Sequence, residues 1–564
     1  MKQIFFFIVF FMQFTFSQNG TSASFPITAT DPQNFRDYPG GRGENQLIVY
    51  TPAYGKKSTG TNQWGLEAVV RENCIVAVGG NNSPIHEDEI ILSGHGKAKS
   101  FLEKNAHIGA KVAVINGNVE ISFDAESFAV FSQLVEKDLR KKFSLLKNNF
   151  NEETDSVINH LFDSLHTVTA TALQYAYLIS DEKVYSLGMQ LLDELSYRIS
   201  VSPKIEARGI FHRPTERGPE QIAEVVKTFA EAGFNQIYLE TVWRGEAIYP
   251  SFITQQRRRF RGFDPLQTYI NEAEKYGIEI HALLHTFSAG GSTAPGDTGK
   301  GPVLEQHPAW QIVKRNGERF SNSEQGAFYL NPALPEVQEY IASLYKEVRT
   351  QYPKLAGIQM DDICYPTNVP LDESSDYSEY SRTEFQKYAG VDPMNINPTD
   401  NPLEWEKWRK WREEIITAFV KKIRWQNPEI LLSADVTPDF DEAVITQMQN
   451  WSEWAKKGYV NFLVPNVFSL NTDWVEEVMT RIEMTVGKDF PTFAGLVVSK
   501  QLPPALLLQQ IEKVREMGIP GIVLFSSQEI SNEQLRLLSV GPFREKAVPP
   551  VILRTQSQVK GETH

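Results

Sequence analysis

The sequence predicts an α/β chain: a (β/α)8 barrel preceded by a small β-rich module and a helical connecting segment. Three observations predict it. From Glu206 onward, short apolar runs alternate with amphipathic stretches, and the alternation occurs eight times, the pattern of a parallel barrel rather than of a sandwich. Ahead of it, β-type runs are punctuated by Gly, Asn and Pro. Between the two lies a region with apolar residues at helical spacing and almost no Gly or Pro. A doubly wound open sheet usually carries fewer strands, and no glycine-rich phosphate turn follows the first strand here.

The elements follow in order. "MKQIFFFIVFFMQFTFSQNG" has one Lys and an uncharged apolar run from Ile4 to Phe16, then small and polar residues. The run is shorter than the about 20 residues a membrane span needs, and its layout predicts a secretory signal over 1–17. A membrane anchor is the alternative, and no Cys follows the run to carry a lipid. Residues 18–45 read as a flexible leader, and 46–125 as the β-module, with "QLIVYT", "EAVV", "CIVAVGG", "EIILSGHG" and "KVAVING" as strands. Residues 126–203 are the helical connecting segment, and 546–564 a tail. The barrel spans 204–545, with strands in "ARGIFHRP", "FNQIYLETVW", "IEIHALLHTF", "LAGIQMDD", "EILLSADV", "VNFLVPNVF", "PTFAGLVVS" and "GIVLFSS".

Composition narrows the partners. Of 564 residues, 41% are hydrophobic and 22% charged, and the net charge of −14 argues against a nucleic acid. The 34 Phe, 20 Tyr and 10 Trp suit sugar stacking and apolar cores alike. With no second long apolar segment, the expected protein is extracytoplasmic, periplasmic or secreted, without stable membrane insertion once the signal is removed. Cys74 and Cys364 lie in different segments and read as separate thiols, too few for a Cys-based zinc site.

The chemistry is expected at strand ends, because barrels of this kind work at their C-terminal rim. In "GIQMDD", side chains alternate, so Ile358 and Met360 pack outward while Gln359 and Asp361 point into the mouth. Asp361 ranks above Asp362. Strand two offers Glu240, with Arg244, Glu246 and Tyr249 in the loop after it; strand three offers His281 and His285; strands five and six end at Asp435 and Asn466. Two carboxylates across a rim are the equipment for glycosidic cleavage: one protonated to assist the leaving oxygen, one ionised to attack the sugar or activate water. Other readings stand beside this. A strand-end carboxylate also caps helices or pairs with Arg, and Asp435 lies in an acidic helix entry. His281 and His285 share a face and with a carboxylate would suit a metal, though no HExxH pattern supports one. Trp405, Trp408 and Trp411 recur on a helix as packing residues rather than as a sugar platform. "QQRRRFRG" (255–262) would supply a basic cleft or merely a solvated loop.

Residues 206 to about 530 resemble the bacterial family 10-like glycosyl-hydrolase-related proteins, barrels distinct from the family 10 xylanases. The resemblance rests on "ARGIF", "GFNQIYLETVWRGEAIYPS", "GFDPLQTYINEAEKYGIEIHALLHTF", "HPAW", "YLNPALPEVQEYI", "GIQMDDICYP", "GVDP", "WRKWREEIITAFV", "LLSADVTPD" and "VPNVF", in order. The module's "QLIVYTP", "STGTNQWGLEAVV" and "EIILSGHGKAKSFL" resemble the β-module that precedes this barrel in part of the family, and His95 in "SGHG" reads as part of a glycine-lined turn. The resemblance implies an extracytoplasmic carbohydrate-active enzyme, some relatives being thought to cleave peptidoglycan glycan strands. It carries the family's strand-four Asp onto Asp361 and its strand-two acid onto Glu240. Asp362 and Asp435 depart from the family pattern, as does "VWRGEAIY" where relatives read "VNAGYPIY".

The expectation is therefore a secreted glycoside hydrolase acting on a cell-wall or environmental polysaccharide. Asp361 and Glu240 form the pair, with Asp362 and Asp435 behind them, and no cofactor is required. Arg244, Tyr249, His281, His285, Asn331, Tyr365 and Asn466 are expected to line the sugar sites. The rival is a non-catalytic polysaccharide or cell-wall binding protein on the same scaffold; a metal-dependent deacetylase using His281 and His285 is the third reading.

Overall fold

The computed structural model describes residues 21–33, 45–62, 64–79, 82–174, 181–291, 299–319, 326–366, 370–500 and 502–551. The expected signal segment and most of the expected tail lie outside them. Among the described residues, no helix is long and apolar enough to cross a membrane.

Eight parallel strands form the barrel: β1 (Ala207–His212), β2 (Gln236–Trp243), β3 (Glu279–His285), β4 (Gly357–Asp361), β5 (Leu431–Val436), β6 (Phe462–Pro465), β7 (Ala494–Val497) and β8 (Gly521–Phe525). From β1 to β6 each pairs with its chain neighbour, β7 pairs with β8, and β8 returns to β1. Between β6 and β7 the ring closes through Phe493 N–H, which donates to Leu463 O at 2.9 Å. Closure leaves no sheet edge open in the ring.

The strands read as near-continuous apolar runs because both faces are covered. Ile237, Leu239, Ile280, Ala282, Leu284, Ile358 and Met360 face outward and pack with helix residues such as Val226, Ile270, Ile341 and Phe419. Inside, Ala207, Tyr238, Phe462, Val464, Phe493 and Val523 fill the barrel. Tyr238 stacks on His281 at 4.9 Å. Gly357 makes room for that pair, since a Cβ there would lie 2.5 Å from His281 Nδ1. One irregularity matters for the mouth: the β2–β3 register slips between Glu240 and Val242, the signature of a bulge. Val242 consequently joins the outer core.

The helix Pro402–Gln426 carries the three tryptophans. Trp408 is fully buried and stacks on Trp411 at 5.3 Å, with Phe385 beside both. Trp405 packs against the same cluster. They are packing residues. Cys74 and Cys364 are separate buried thiols.

Ahead of the barrel, an eight-stranded sheet runs from Thr21–Pro26 at one edge to Ala29–Thr30 at the other. The helix Lys97–Asn105 buries Ala98 and Leu102 against it. Thr21–Pro26 falls where an irregular leader is expected. It is instead a strand, antiparallel to Asn118–Phe123, with Phe25 packed on Phe101 at 5.2 Å; pairing at an open edge outweighs its weak local propensity. Helices Ala125–Leu146, Glu152–Gln174 and Asp181–Arg198 follow. They dock on the barrel's outer helices through Lys142–Glu512 and Arg536–Glu194 ion pairs and through Tyr197 Oη, which donates to Pro504 O at 2.8 Å.

At the base, the fully buried Arg208 ties the start of β1 to the segment that follows the last helix of the barrel. It donates to Glu206 Oε2 (2.8 Å), Pro203 O (2.7 Å) and Glu545 O (2.8 Å), and Arg515 holds the same Glu206. Removing one partner of a buried pair costs about 3–5 kcal/mol. Arg208→Met should lower stability by that order in a urea titration; a loss below about 1 kcal/mol would mean the network adds nothing beyond packing.

Candidate active site

Three adjacent strands converge their last inward side chains on one point. β2 supplies Glu240, β3 supplies His285 and β4 supplies Asp361, with Asp362 on the following residue. Strand alternation alone aims Asp362 outward. Its φ of 48° turns the backbone instead, a conformation Asp tolerates better than most residues. Thr286 N–H donates to Asp361 O at 2.7 Å and Phe287 N–H to Asp362 O at 3.3 Å, holding this turn against β3.

His285 sits at the centre, buried. Its Nε2 lies 2.7 Å from Glu240 Oε1 and 3.6 Å from Asp361 Oδ2, and its Nδ1 lies 2.5 Å from Asp362 Oδ2. Both ring nitrogens face carboxylates, so both carry protons. Burial alone would push the imidazole's pKa down, but Asp361, Asp362 and the hydrogen bonds raise it to about 9. Glu240 is held the opposite way. Burial would raise its pKa, but the Arg213 charge and the His285 contacts lower it to about 2. Arg213, one residue beyond β1, grips both Glu240 oxygens, Nη2 reaching Oε1 at 3.0 Å. Behind it, His212 bridges Ser527 Oγ and Tyr269 Oη at 2.7 Å each, and Tyr269 donates to Glu216 at 2.6 Å.

Above this cluster lies Trp243, partly exposed, with the guanidinium carbons of Arg213, Arg244 and Arg257 at 4.2, 4.7 and 4.0 Å from its ring centre. Arg257 also pairs with Glu246 at 3.2 Å. Asp435 on β5 accepts from Nδ2 of Asn466, the residue after β6.

The structure does not bring every expected residue to the mouth. His281 faces the same way as His285, but two pleat repeats deeper, fully buried against Tyr238 and Phe462. The two imidazoles are therefore not a ligand pair. Tyr249 is buried, its hydroxyl donating to Glu347 at 2.7 Å. Asn331 is buried and donates to Asp376 (2.5 Å) and Ser378 (3.0 Å). Tyr365 is fully buried under Arg412. These three brace loops. Arg213 and Trp243 are residues the sequence did not single out, the one available signal being an Arg directly after the first apolar run; Arg257 lies in the basic run 255–262 that the sequence offers as a cleft lining.

His285, Asp361 and Asp362 each offer a ligand atom, all within 4.8 Å of one another. That spacing also suits an imidazolium, and Glu240 on the second ring nitrogen favours it, because a doubly protonated ring has no lone pair to give a metal.

The network sets a pH dependence. The stabilisation from Glu240 is present above the ordinary carboxylate pKa and is lost as pH falls toward about 2. That from His285 is present below the ordinary imidazole pKa and is lost as pH rises through about 9. His285→Gln should therefore melt several degrees below wild type near pH 6, and the gap should close above pH 9. A gap that is constant across thermal scans from pH 5 to 10 would contradict the imidazolium.

Comparison with known proteins adds the following. Residues 207–496 match the family model described as Glycosyl hydrolase-like 10. "Glycosyl hydrolase DigH" of Escherichia coli (strain K12) is 31% identical over 167 residues, 28% of this chain and 36% of that protein. "Glycosyl hydrolase YngK" of Bacillus subtilis (strain 168) is 23% identical over 223 residues, 37% of this chain and 38% of that protein. The chain thus spans little more than a third of the length of these curated relatives. Among solved structures, the catalytic domain of a β-amylase from Paenibacillus polymyxa is similar over 59% of this chain and 95% of that one, at 13% identity and a TM-score of 0.44.

Proposed function

The chain belongs to the Glycosyl hydrolase-like 10 family, and from that premise we propose that it is a glycoside hydrolase working outside the cytoplasm. Its substrate in this reading is a bacterial cell-wall or environmental polysaccharide, peptidoglycan glycan strands among the candidates. The observation that carries the reading is the His285 ring held among Glu240, Asp361 and Asp362 at the mouth.

Glu240 and Asp361 are the reacting pair. Both meet His285 Nε2, at 2.7 and 3.6 Å. Their nearest oxygens are therefore no farther apart than those two distances end to end. That is under the about 6.5–9.5 Å of inverting enzymes and compatible with the about 5–5.5 Å of retaining ones. Glu240, ionised at working pH, attacks the anomeric carbon. The bond to the leaving oxygen breaks, and that oxygen takes a proton that His285 passes on through Asp361. In the second half a water adds to the same carbon, returns a proton through Asp361 to His285 and frees Glu240. Asp362 holds the imidazole, and Asp435 with Asn466 serves the sugar farther along the rim.

The test is product release from a glycan panel that includes peptidoglycan strands stripped of peptides. Asp361→Asn and Glu240→Gln should each lose about a hundredfold or more with folding intact. Glycan binding by all three proteins with no product from any would replace the hydrolase with a binding protein.

A further inference from the structure

The N-terminal module carries an aromatic side chain that its own packing does not use. Of the ten tryptophans, Trp64 is the most exposed, at 71%. Trp425 follows at 53%, but Lys421 Nζ lies over its ring at 4.5 Å. Trp64 belongs to neither hydrophobic cluster of the module, and among the described residues no ring or cation covers its indole. The turn that carries it is nevertheless held firmly. Gly65 N–H donates to Asn62 O at 3.0 Å. Asn62 Oδ1 accepts from Trp64 N–H at 3.0 Å and lies 3.2 Å from His95 Nε2. A carbonyl oxygen only accepts, so Nε2 donates, and His95 Nδ1 is left as a buried acceptor without a partner. Gly65 lets the turn lie on that imidazole, since a Cβ there would sit 2.4 Å from Thr61 Cγ2 and 2.9 Å from His95 Cε1. The chain leading in is pinned too. Thr61 Oγ1 meets Ser93 Oγ at 2.8 Å, Thr59 Oγ1 donates to the fully buried Glu67, and Ser83 N–H donates to the other Glu67 oxygen at 2.7 Å. Glu67 and Ser93 face each other on strands Leu66–Arg71 and Glu89–Gly94. A buried polar network, with one atom left unsatisfied, therefore fixes a turn whose tip shows an apolar ring to water. Packing does not explain that ring.

We propose that Trp64 and Asn62 form a glycan-binding site on the N-terminal module, which holds the polysaccharide whose bonds the barrel cleaves. The proposal rests on the hydrolase reading for the identity of the polymer. A pyranose has a face of C–H groups and a rim of hydroxyls. The indole matches the face. Asn62 matches the rim: its Oδ1 is engaged by the turn, so the exposed amide presents Nδ2 as a donor. A turn already fixed loses little freedom when the sugar arrives. A protein partner fits less well, because the exposed neighbours of the ring are Gly60 and Asn62 rather than the apolar core that a protein interface buries. A single ring attaches weakly, which suits a long polymer that the barrel engages at a second point.

The experiment uses the whole chain and three insoluble probes: peptide-free peptidoglycan, chitin and cellulose. Depletion from solution measures retention, with Asp361→Asn present throughout to prevent turnover. Adding Trp64→Ala should lower retention on at least one probe by about tenfold or more, and Trp64→Phe should restore part of it. Because the ring is exposed, Trp64→Ala should melt within about a degree of wild type. In the otherwise unaltered chain, Trp64→Ala should slow product release from that insoluble polymer and leave kcat and KM on its short soluble oligosaccharides unchanged. Retention that Trp64→Ala does not alter on any probe, or no retention on any, overturns the site, and cleavage by wild type then leaves the hydrolase standing. Equal loss on polymer and short oligosaccharides also overturns it, since a tether acts only on a chain long enough to reach both points. Retention lost in Trp64→Ala, with no product from any probe, supports the site and removes the hydrolase. Self-association of wild type that Trp64→Ala abolishes, with glycan retention unchanged, assigns the ring to a protein contact and overturns the site.

Discussion

One buried imidazolium organises the mouth of this barrel. Three carboxylates, Glu240 on β2 and Asp361 and Asp362 at the end of β4, could not share so small a volume as anions without a cation among them. His285 is that cation, with a carboxylate on each nitrogen and a third 3.6 Å away. Its proton is retained because the carboxylates surround it, and Glu240 stays charged because it and Arg213 are there. Arg213 then takes up the remaining demand of Glu240. Taking away one member leaves the others buried without compensation, which is costlier than never having buried them.

The scaffold makes this arrangement affordable by fixing depth as well as direction. His281 and His285 point the same way from β3, yet the lower one packs on Tyr238 inside the closed barrel while the upper one meets three acids. The lower layer is apolar and aromatic, filled by Tyr238, Phe462, Val464 and Val523. The upper layer therefore rests on a floor that excludes water from beneath, and the electrostatic contacts there act at a reduced dielectric.

Much of this was legible in the residues. Eight alternating units announce the barrel because strands covered on both faces cannot hide their apolar character, and period-two alternation correctly separates Ile358 and Met360 from Gln359 and Asp361. Depth was not legible. Nothing in "IHALLHTF" says that the first imidazole lies in the floor and the second in the mouth, since that depends on the stagger of β3 against β2 and β4. Asn331 and Tyr365 show a second blind spot. Their motifs are as distinctive as that of Asp361, but Asn331 spends its amide on Asp376 and Ser378, and Tyr365 is packed under Arg412. A motif marks a constrained residue without saying whether a ligand or a loop imposes the constraint. Arg213 stayed hidden because only the β1–β2 pairing brings it to Glu240. The strand Thr21–Pro26 was hidden for a similar reason: its order comes from its partner strand.

The slipped register between Glu240 and Val242 separates two jobs along one strand. Below it, inward or outward facing is dictated by the pleat, and Glu240 is bound to its position by its neighbours on β1 and β3. Above it, the count starts afresh, and Trp243 and Arg244 take up whatever orientation the new parity assigns. A lineage of such proteins can thus exchange, lengthen or shorten the segment after the bulge without disturbing the acid before it. The bulge works as a coupling between an acid fixed by its neighbours and a segment freed from the pleat beneath it.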